Sequence, residues 1–164
     1  MRTPIAKNIL AALGGLFMVE VIALMFLLGR WETLDSTSHY YVMQAVPAIF
    51  TTMDVAELER RATPKLFAGM SEDDIKKLFN QFKRLGKLET VEGCEGNAAL
   101  TWAKHRIEPN AEYECKLKFE KDRVSATLVL LGDDRALIKG DYDNGWKIAA
   151  LHVNSDYLVN MLKK

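Results

Sequence analysis

Little in this chain can hold a metal, a phosphate or a nucleic acid. It has two cysteines and three histidines in 164 residues, and Cys94 and Cys115 lie twenty-one positions apart with no paired histidines nearby, so the ligand spacing of a zinc site is missing. No metal site and no cofactor are expected. There is no Gly-rich phosphate loop and no Ser-His-Asp spacing. Net charge is absent too, at 22 basic against 22 acidic residues. Removing Arg2, Lys7 and Glu20, which fall in or before the first apolar run, leaves 20 basic and 21 acidic residues from Arg30 onward. Without a basic excess there is nothing to neutralise a phosphate backbone, which excludes nucleic acid as a partner. Charges of both signs are interspersed, as in Lys116, Lys118, Glu120, Lys121 and Asp122, which describes a solvated surface. No internal repeat or low-complexity tract is present.

What the sequence does have is one long apolar stretch. From Ile9 to Leu28 the only charge is Glu20, and twenty helical residues at about 1.5 Å each cover roughly 30 Å, the thickness of a hydrocarbon core. A cleaved leader would have a shorter apolar run and small residues at its cleavage site, whereas this one ends in Leu27-Leu28-Gly29-Arg30-Trp31. The expectation is an uncleaved signal anchor: residues 1–8 a cytoplasmic tail, 9–29 a transmembrane helix, 30–38 a polar connector and 39–164 one exported α+β domain. Arg2, Lys7 and the terminal amine before the span orient it with the N-terminus cytoplasmic, and Trp31 falls where an interfacial aromatic belongs. The lipid bilayer is thus the first expected partner. Glu20 is costly inside lipid, so it either protonates or meets another chain. Ala11 and Gly15 offer the small surface on which a second helix packs closely, making Glu20, Ala11 and Gly15 the candidate contact with other membrane subunits or a second copy.

In the remaining part, Val42, Val46, Ile49, Phe50 and Met53 recur on one helical face, with Pro47 expected to kink that helix or begin it. Asp54 with Glu57 reads as a capping box for a second helix ending at Thr63-Pro64. Ser71 with Asp74 starts a third, carried by Ile75, Leu78, Phe79, Phe82 and Leu85 and stopped by Gly86. The period then becomes two. Tyr113, Cys115, Leu117 and Phe119 alternate with charged residues as a half-buried strand, Lys121-Asp122 turns into a strand over Arg123 to Leu131, and Asp143-Asn144-Gly145 precedes another from Trp146 to Val153. Weaker strands are expected over Lys87–Glu92 and Ala98–His105, separated by a turn at Gly93–Asn97. Helices followed by strands give an α+β domain with helices on one face of an antiparallel sheet. In an oxidising compartment Cys94 and Cys115 are expected to pair.

Asp54-Val55-Ala56, Thr63-Pro64, Leu85-Gly86, the Tyr113-x-Cys115-x-x-x-Phe119-Glu120 strand and Gly145-Trp146-Lys147-Ile148 running to Val153-Asn154-Ser155 resemble the NTF2-like superfamily, specifically its small bacterial exported variants, over about Ser38 to Leu158. The resemblance implies a curved sheet wrapped on helices, with a pocket that some relatives use for catalysis or ligand binding and others do not. It also implies a bacterial inner-membrane protein with a periplasmic domain. The layout is similar as well to the bitopic assembly factors of type IV secretion systems, which are larger and more helical.

No catalytic residue is assigned. His39 falls in the connector and His105 near a loop before Pro109. His152, by alternation from Trp146 through Ile148 and Ala150, is placed on one strand face with them. Asp133, Asp134, Asp141 and Asp143 flank turns, where aspartate is favoured for backbone reasons. Trp102, Tyr113, Trp146 and His152 are the candidate pocket or interface residues, with Tyr113 and Trp146 ordinarily core and Trp102 a rim residue. The function expected is that of a non-catalytic accessory subunit of a membrane complex. The alternatives are a pocketed ligand binder or lyase- or isomerase-like enzyme, and an oligomerising secretion-type scaffold.

Overall fold

The computed structural model describes the backbone of residues 4–68, 71–103 and 106–155, and their side chains except at 4–18, 23–28, 30–31, 103, 106, 134 and 142–143. The chain forms two compact units, Met1–Thr33 and Leu34–Lys164. A helix, α1, is assigned over Pro4–Thr52. Among the described residues no helix is long and apolar enough to cross a membrane. Most of the Ile9–Leu28 run, including Ala11 and Gly15, lies outside the described side chains, as do Arg30 and Trp31. In the first unit Glu20 is exposed, flanked by exposed Val19 and Ile22.

The second unit is α+β. Its helices come first: the Leu34–Thr52 part of α1, then α2 (Val55–Arg61), α3 (Pro64–Phe67) and α4 (Glu72–Phe82), the last continued by a 3-10 turn over Lys83–Leu85. Four antiparallel strands follow in the order β1-β2-β3-β4: β1 (Leu88–Ala103), β2 (Arg106–Phe119), β3 (Arg123–Gly132) and β4 (Trp146–Asn154). Two short helices, α5 (Asp134–Ile138) and α6 (Tyr142–Gly145), occupy the β3–β4 connection.

Local chemistry accounts for most boundaries. α4 opens on a reciprocal cap, in which Ser71 Oγ accepts from Asp74 N while the Asp74 carboxylate accepts from Ser71 N. It buries Ile75, Phe79 and Phe82, and Gly86 at φ 87° supplies the left-handed stop, a conformation that glycine adopts without a Cβ penalty. α1 ends differently, at Met53 with φ 45°, and runs through Pro47 without interruption. Asp54 caps α2 by accepting from Ala56 N, but the expected box is not completed. The Glu57 carboxylate turns instead to Arg60 (2.6 Å) and Arg61 (2.7 Å).

The stretch read as a polar connector, 30–38, is helical. Its inward positions Leu34, Thr37 and Ser38 are buried and extend the face formed by Tyr41, Val42, Ala45, Val46, Ile49 and Phe50. Polar residues can sit there because the sheet supplies their hydrogen-bond partners.

Two expectations about the strands are corrected. No turn forms at Gly93–Asn97: β1 is continuous, pairing Cys94 with Cys115, Gly96 with Tyr113 and Ala98 with Ala111. Gly96 is needed for close approach, since a Cβ there would run into the Glu112 carbonyl and the Tyr113 Cα. The irregularity lies earlier, as register shifts between Leu88 and Thr90 and between Val91 and Gly93. On β4 a register shift opposite Val129 and Leu130 inserts Ala149, so Leu130 pairs with Ile148 while Val129 pairs with Ala150. An extra residue reverses the facing of everything beyond it. Trp146 and Ile148 face inward; after the bulge it is Leu151 and Val153 that pack on the core, and His152 is exposed.

Candidate functional site

The inward face of the sheet is where a pocket would lie, and it is filled by the domain's own side chains. Trp146, Tyr113, Phe50, Phe79, Phe82 and Ile49 are all nearly or wholly inaccessible. Phe50 packs its ring against Phe82 and edge-on to Phe119, with centroids 6.0 and 6.2 Å apart, the tilted geometry aromatic pairs prefer.

Within this core lies one polar cluster, built between the start of the second unit and the middle of the sheet. The hydroxyls of Ser38 and Tyr113 share a 2.9 Å hydrogen bond, and both come within reach of the Asp35 carbonyl oxygen, at 3.0 and 3.3 Å. The Trp146 indole Nε1 donates to Thr37 Oγ1 at 3.2 Å, and Thr37 in turn donates to the Leu34 carbonyl. The Asp35 carboxylate accepts from the Ala98 N–H at 2.8 Å, and Asn97 Nδ2 donates to the Ala98 carbonyl. β1 is an edge strand, and these two side chains occupy backbone groups that would otherwise invite another strand. The opposite edge is covered by chain: Ala62 bridges to Ile148, and Thr63 N donates to the Ile148 carbonyl at 2.8 Å.

Burial pushes the Tyr41 phenol up to about 12. The Tyr113 phenol is also raised, by burial first and by the Asp35 charge, against the Ser38 hydrogen bond. Hydrogen bonds from Arg61 and Arg60 hold the Glu57 carboxyl below its ordinary value. Each of these shifts moves a group away from neutral pH, the reverse of what a general acid or base requires. Among the described residues no group of His, Cys, Asp and Glu could hold a metal ion.

Two of the four candidate pocket residues, Tyr113 and Trp146, come together through α1, where Thr37 and Ser38 hold them. Trp102 and His152 stand apart from them. Trp102 is 72% exposed and sits near the tip of the β1–β2 hairpin, paired with Ile107. His152 pairs with Thr127 on the outer face. His39 is exposed, its ring 5.8 Å from that of Tyr113, while His105 lies outside the described residues. Sequence reasoning missed Asp35, Thr37 and Ser38, which were readable only as a polar run. Surface depressions exist, such as the one between α2 and α4 lined by Glu59, Glu72, Lys76 and Phe79, but they are open and mixed in character.

Cys94 and Cys115 form a disulfide across directly paired positions of β1 and β2. Cys115 is fully buried in the inward row, and Cys94 is partly exposed.

The Glu57 carboxylate tests whether α2 is held by its charges. Because its folded pKa lies below the ordinary 4.5, its contribution is fully present above that value and is lost as pH falls through the depressed one. For contacts made at the surface, with Glu57 and Arg61 partly covered and Arg60 exposed, we expect about 1 kcal/mol or less. Glu57→Gln should lower the unfolding midpoint of the full chain at pH 7 and leave no difference from wild type at the lowest pH at which both remain folded. A gap that persists under acid would mean the carboxylate charge is not what matters.

No family model, no curated protein and no solved structure matches the chain.

Proposed function

We propose that this protein is a non-catalytic accessory module, tethered to a membrane by the Ile9–Leu28 helix and presenting the Leu34–Lys164 domain to a larger membrane assembly. The observation that carries the reading is the filled inward face of the sheet: Tyr113 and Trp146, the residues best suited to line a pocket, are spent on packing and on hydrogen bonds to Ser38 and Thr37. A domain with its core closed works through its surface. That counts against the pocketed binder or lyase-like alternative.

The disulfide supports an oxidising compartment, since such bonds seldom persist in a reducing cytosol. The helices-then-meander order supports the NTF2-like reading, and with it a bacterial inner membrane and a periplasmic domain. Glu20, exposed between Val19 and Ile22, is the residue we assign to a partner helix, because an ionisable side chain inside lipid is stabilised by facing protein.

Extraction of the full chain from native membranes in a mild detergent tests this. The expected result is migration as an assembly larger than one chain and its detergent, shifted to a monomer by Glu20→Leu. If wild type and variant both run as monomers, the accessory reading fails. If the assembly contains only copies of this chain, the module is a self-associating scaffold, closer to the secretion-type alternative.

A further inference from the structure

Three cations that are distant in the sequence meet at one place on the second unit. Arg60 and Arg61 close α2, and Lys147, 87 residues after Arg60, stands near the start of β4. With Tyr40 and Gln44 of α1 and Asn144 of α6 they line a depression of about 380 Å³. Tyr40 and Gln44, four residues apart on a helix, share one face of it. The depression is open, as the others are, but its walls differ in charge. Among the described residues no carboxylate lines it, whereas the depression between α2 and α4 carries Asp54, Glu59 and Glu72, and the one at the end of α1 carries Glu120.

The walls are pinned by contacts that leave donors over. The Tyr41 hydroxyl donates to the Arg61 carbonyl at 3.1 Å, joining α1 to α2, and Thr63 N donates to the Ile148 carbonyl at 2.8 Å, joining the end of α2 to β4. Lys147 Nζ donates to the Arg60 carbonyl at 3.0 Å, which uses one of the three protons of an ammonium. Arg60 reaches both Glu57 oxygens through Nη2 alone, at 2.8 and 2.6 Å, so its Nε and Nη1 have no acceptor among the described residues. The Arg61 guanidinium meets Glu57 through Nε at 2.7 Å and faces the Tyr41 phenol, and a guanidinium has five N–H groups to offer.

Glu57 offsets one of the three cations and leaves two positive charges. The Asp141 carboxylate is taken up with the Asn144 side chain at 3.1 Å and does not line the depression. The carbonyl end of a helix amounts to about half a negative charge, too little to account for the excess.

We propose that this depression binds the phosphate of a small phosphomonoester, with Arg60, Arg61 and Lys147 on its oxygens and Gln44, Asn144 and the Tyr40 phenol toward the polar remainder of the molecule. A monoester carries about −1.5 to −2 at neutral pH, which matches the excess, while a carboxylate or a phosphodiester, with a single charge, leaves half of it unmatched. Planar guanidinium forks beside an ammonium are the groups that hold phosphate oxygens, and the volume is of the size small-molecule sites have. The site lies wholly within the Leu34–Lys164 unit, so it stands whether or not the chain is tethered. It goes beyond the accessory reading by giving the module a soluble ligand to respond to.

The isotope-labelled full chain, in an uncharged detergent, is titrated with glycerol phosphate at constant ionic strength while the backbone amides are followed. Binding predicts saturable shifts at Arg61, Asn144 and Lys147. Arg60→Gln and Lys147→Gln should each weaken the affinity about tenfold, the loss of a charge-assisted hydrogen bond, and Arg61→Lys should weaken it while keeping the charge. Lys118→Gln, which removes the same charge from the paired strands β1 and β2, should leave it unchanged. Should Lys147→Gln not fold, Arg60→Gln decides, since that side chain is 67% exposed. Shifts that never saturate, or a loss in Lys118→Gln as large as in the site variants, would reduce the effect to general screening and overturn the site. Acetate or dimethyl phosphate binding as tightly as glycerol phosphate would overturn the assignment of a dianion.

Discussion

Replacing Cys94 and Cys115 together by alanine lowers the stability of the domain by about 3 kcal/mol, the chain-entropy cost of releasing a loop of some twenty residues. Spread over a domain of this size, that corresponds to a fall in melting temperature on the order of 10 °C. The reason is visible in the sheet order. Among the described residues β1 is an edge strand paired with β2 alone, and the bridge joins the two at Cys94 and Cys115, past the register irregularities at Leu88–Gly93. Without the bond, β1 depends on a one-sided ladder whose first part is out of step, together with the Asp35 carboxylate at Ala98. The double variant, or the reduced wild type, should therefore lose amide-exchange protection first in β1, and only at higher denaturant in β3. Equal loss across all strands would show that the bridge acts on global stability alone.

The bond also reports on location. Alkylation of intact cells with a thiol reagent, followed by a non-reducing gel, should find both sulfurs blocked before any reductant is added. Free thiols in freshly lysed cells would place the domain in a reducing compartment and remove the topology on which the proposed function stands.

How much of this could be read from the chain depends on whether the deciding contact was local. α4 was legible because its signals are adjacent: a reciprocal cap at Ser71 and Asp74, an apolar face at helical spacing, and a glycine stop. The Tyr113–Phe119 part of β2 was legible from strict alternation, and β3 from its β-branched and aliphatic content, which the sheet sorts into alternating burial over Arg123–Gly132. The errors fall where a distant residue decides. Gly93-Cys94-Glu95-Gly96-Asn97 has the composition of a turn, yet Gly96 is there to let Glu112 and Tyr113 come close, a need that only the paired strand reveals. The 30–38 stretch looked like a connector because Leu34 is joined at its buried positions by Thr37 and Ser38, residues that favour caps and turns unless something across the core bonds to them. His152 was assigned to the wrong face because one bulge residue, Ala149, shifts the period without leaving a mark in the hydrophobic pattern. Of the candidate site, the aromatic residues could be named from sequence. That Trp146 and Tyr113 are tied to Thr37 and Ser38 could not, since those pairs are 109 and 75 residues apart.

Trp146 offers the sharpest test of whether the core is closed. Its side chain is fully buried, its indole N–H is bonded to Thr37, and its ring lies against Gly132 at the start of β4's pairing with β3. In a filled core, Trp146→Ala removes the transfer free energy of the ring and leaves a cavity that neighbours fill only in part, so the expected loss is about 3–5 kcal/mol. Trp146→Phe keeps most of the volume and should cost clearly less. If the ring instead lined a ligand pocket, its truncation would enlarge a space already open, and the unfolding midpoint would hardly move. The cavity supplies its own control, because an engineered apolar void takes up a small aromatic molecule that the wild type excludes. Added indole should raise the midpoint of Trp146→Ala with concentration, as ligand linkage requires, and leave wild type unchanged. Stabilisation of the wild type by indole would mean that the sheet already encloses room for a ligand, and the domain would then have to be read as a binder rather than as a surface-acting module.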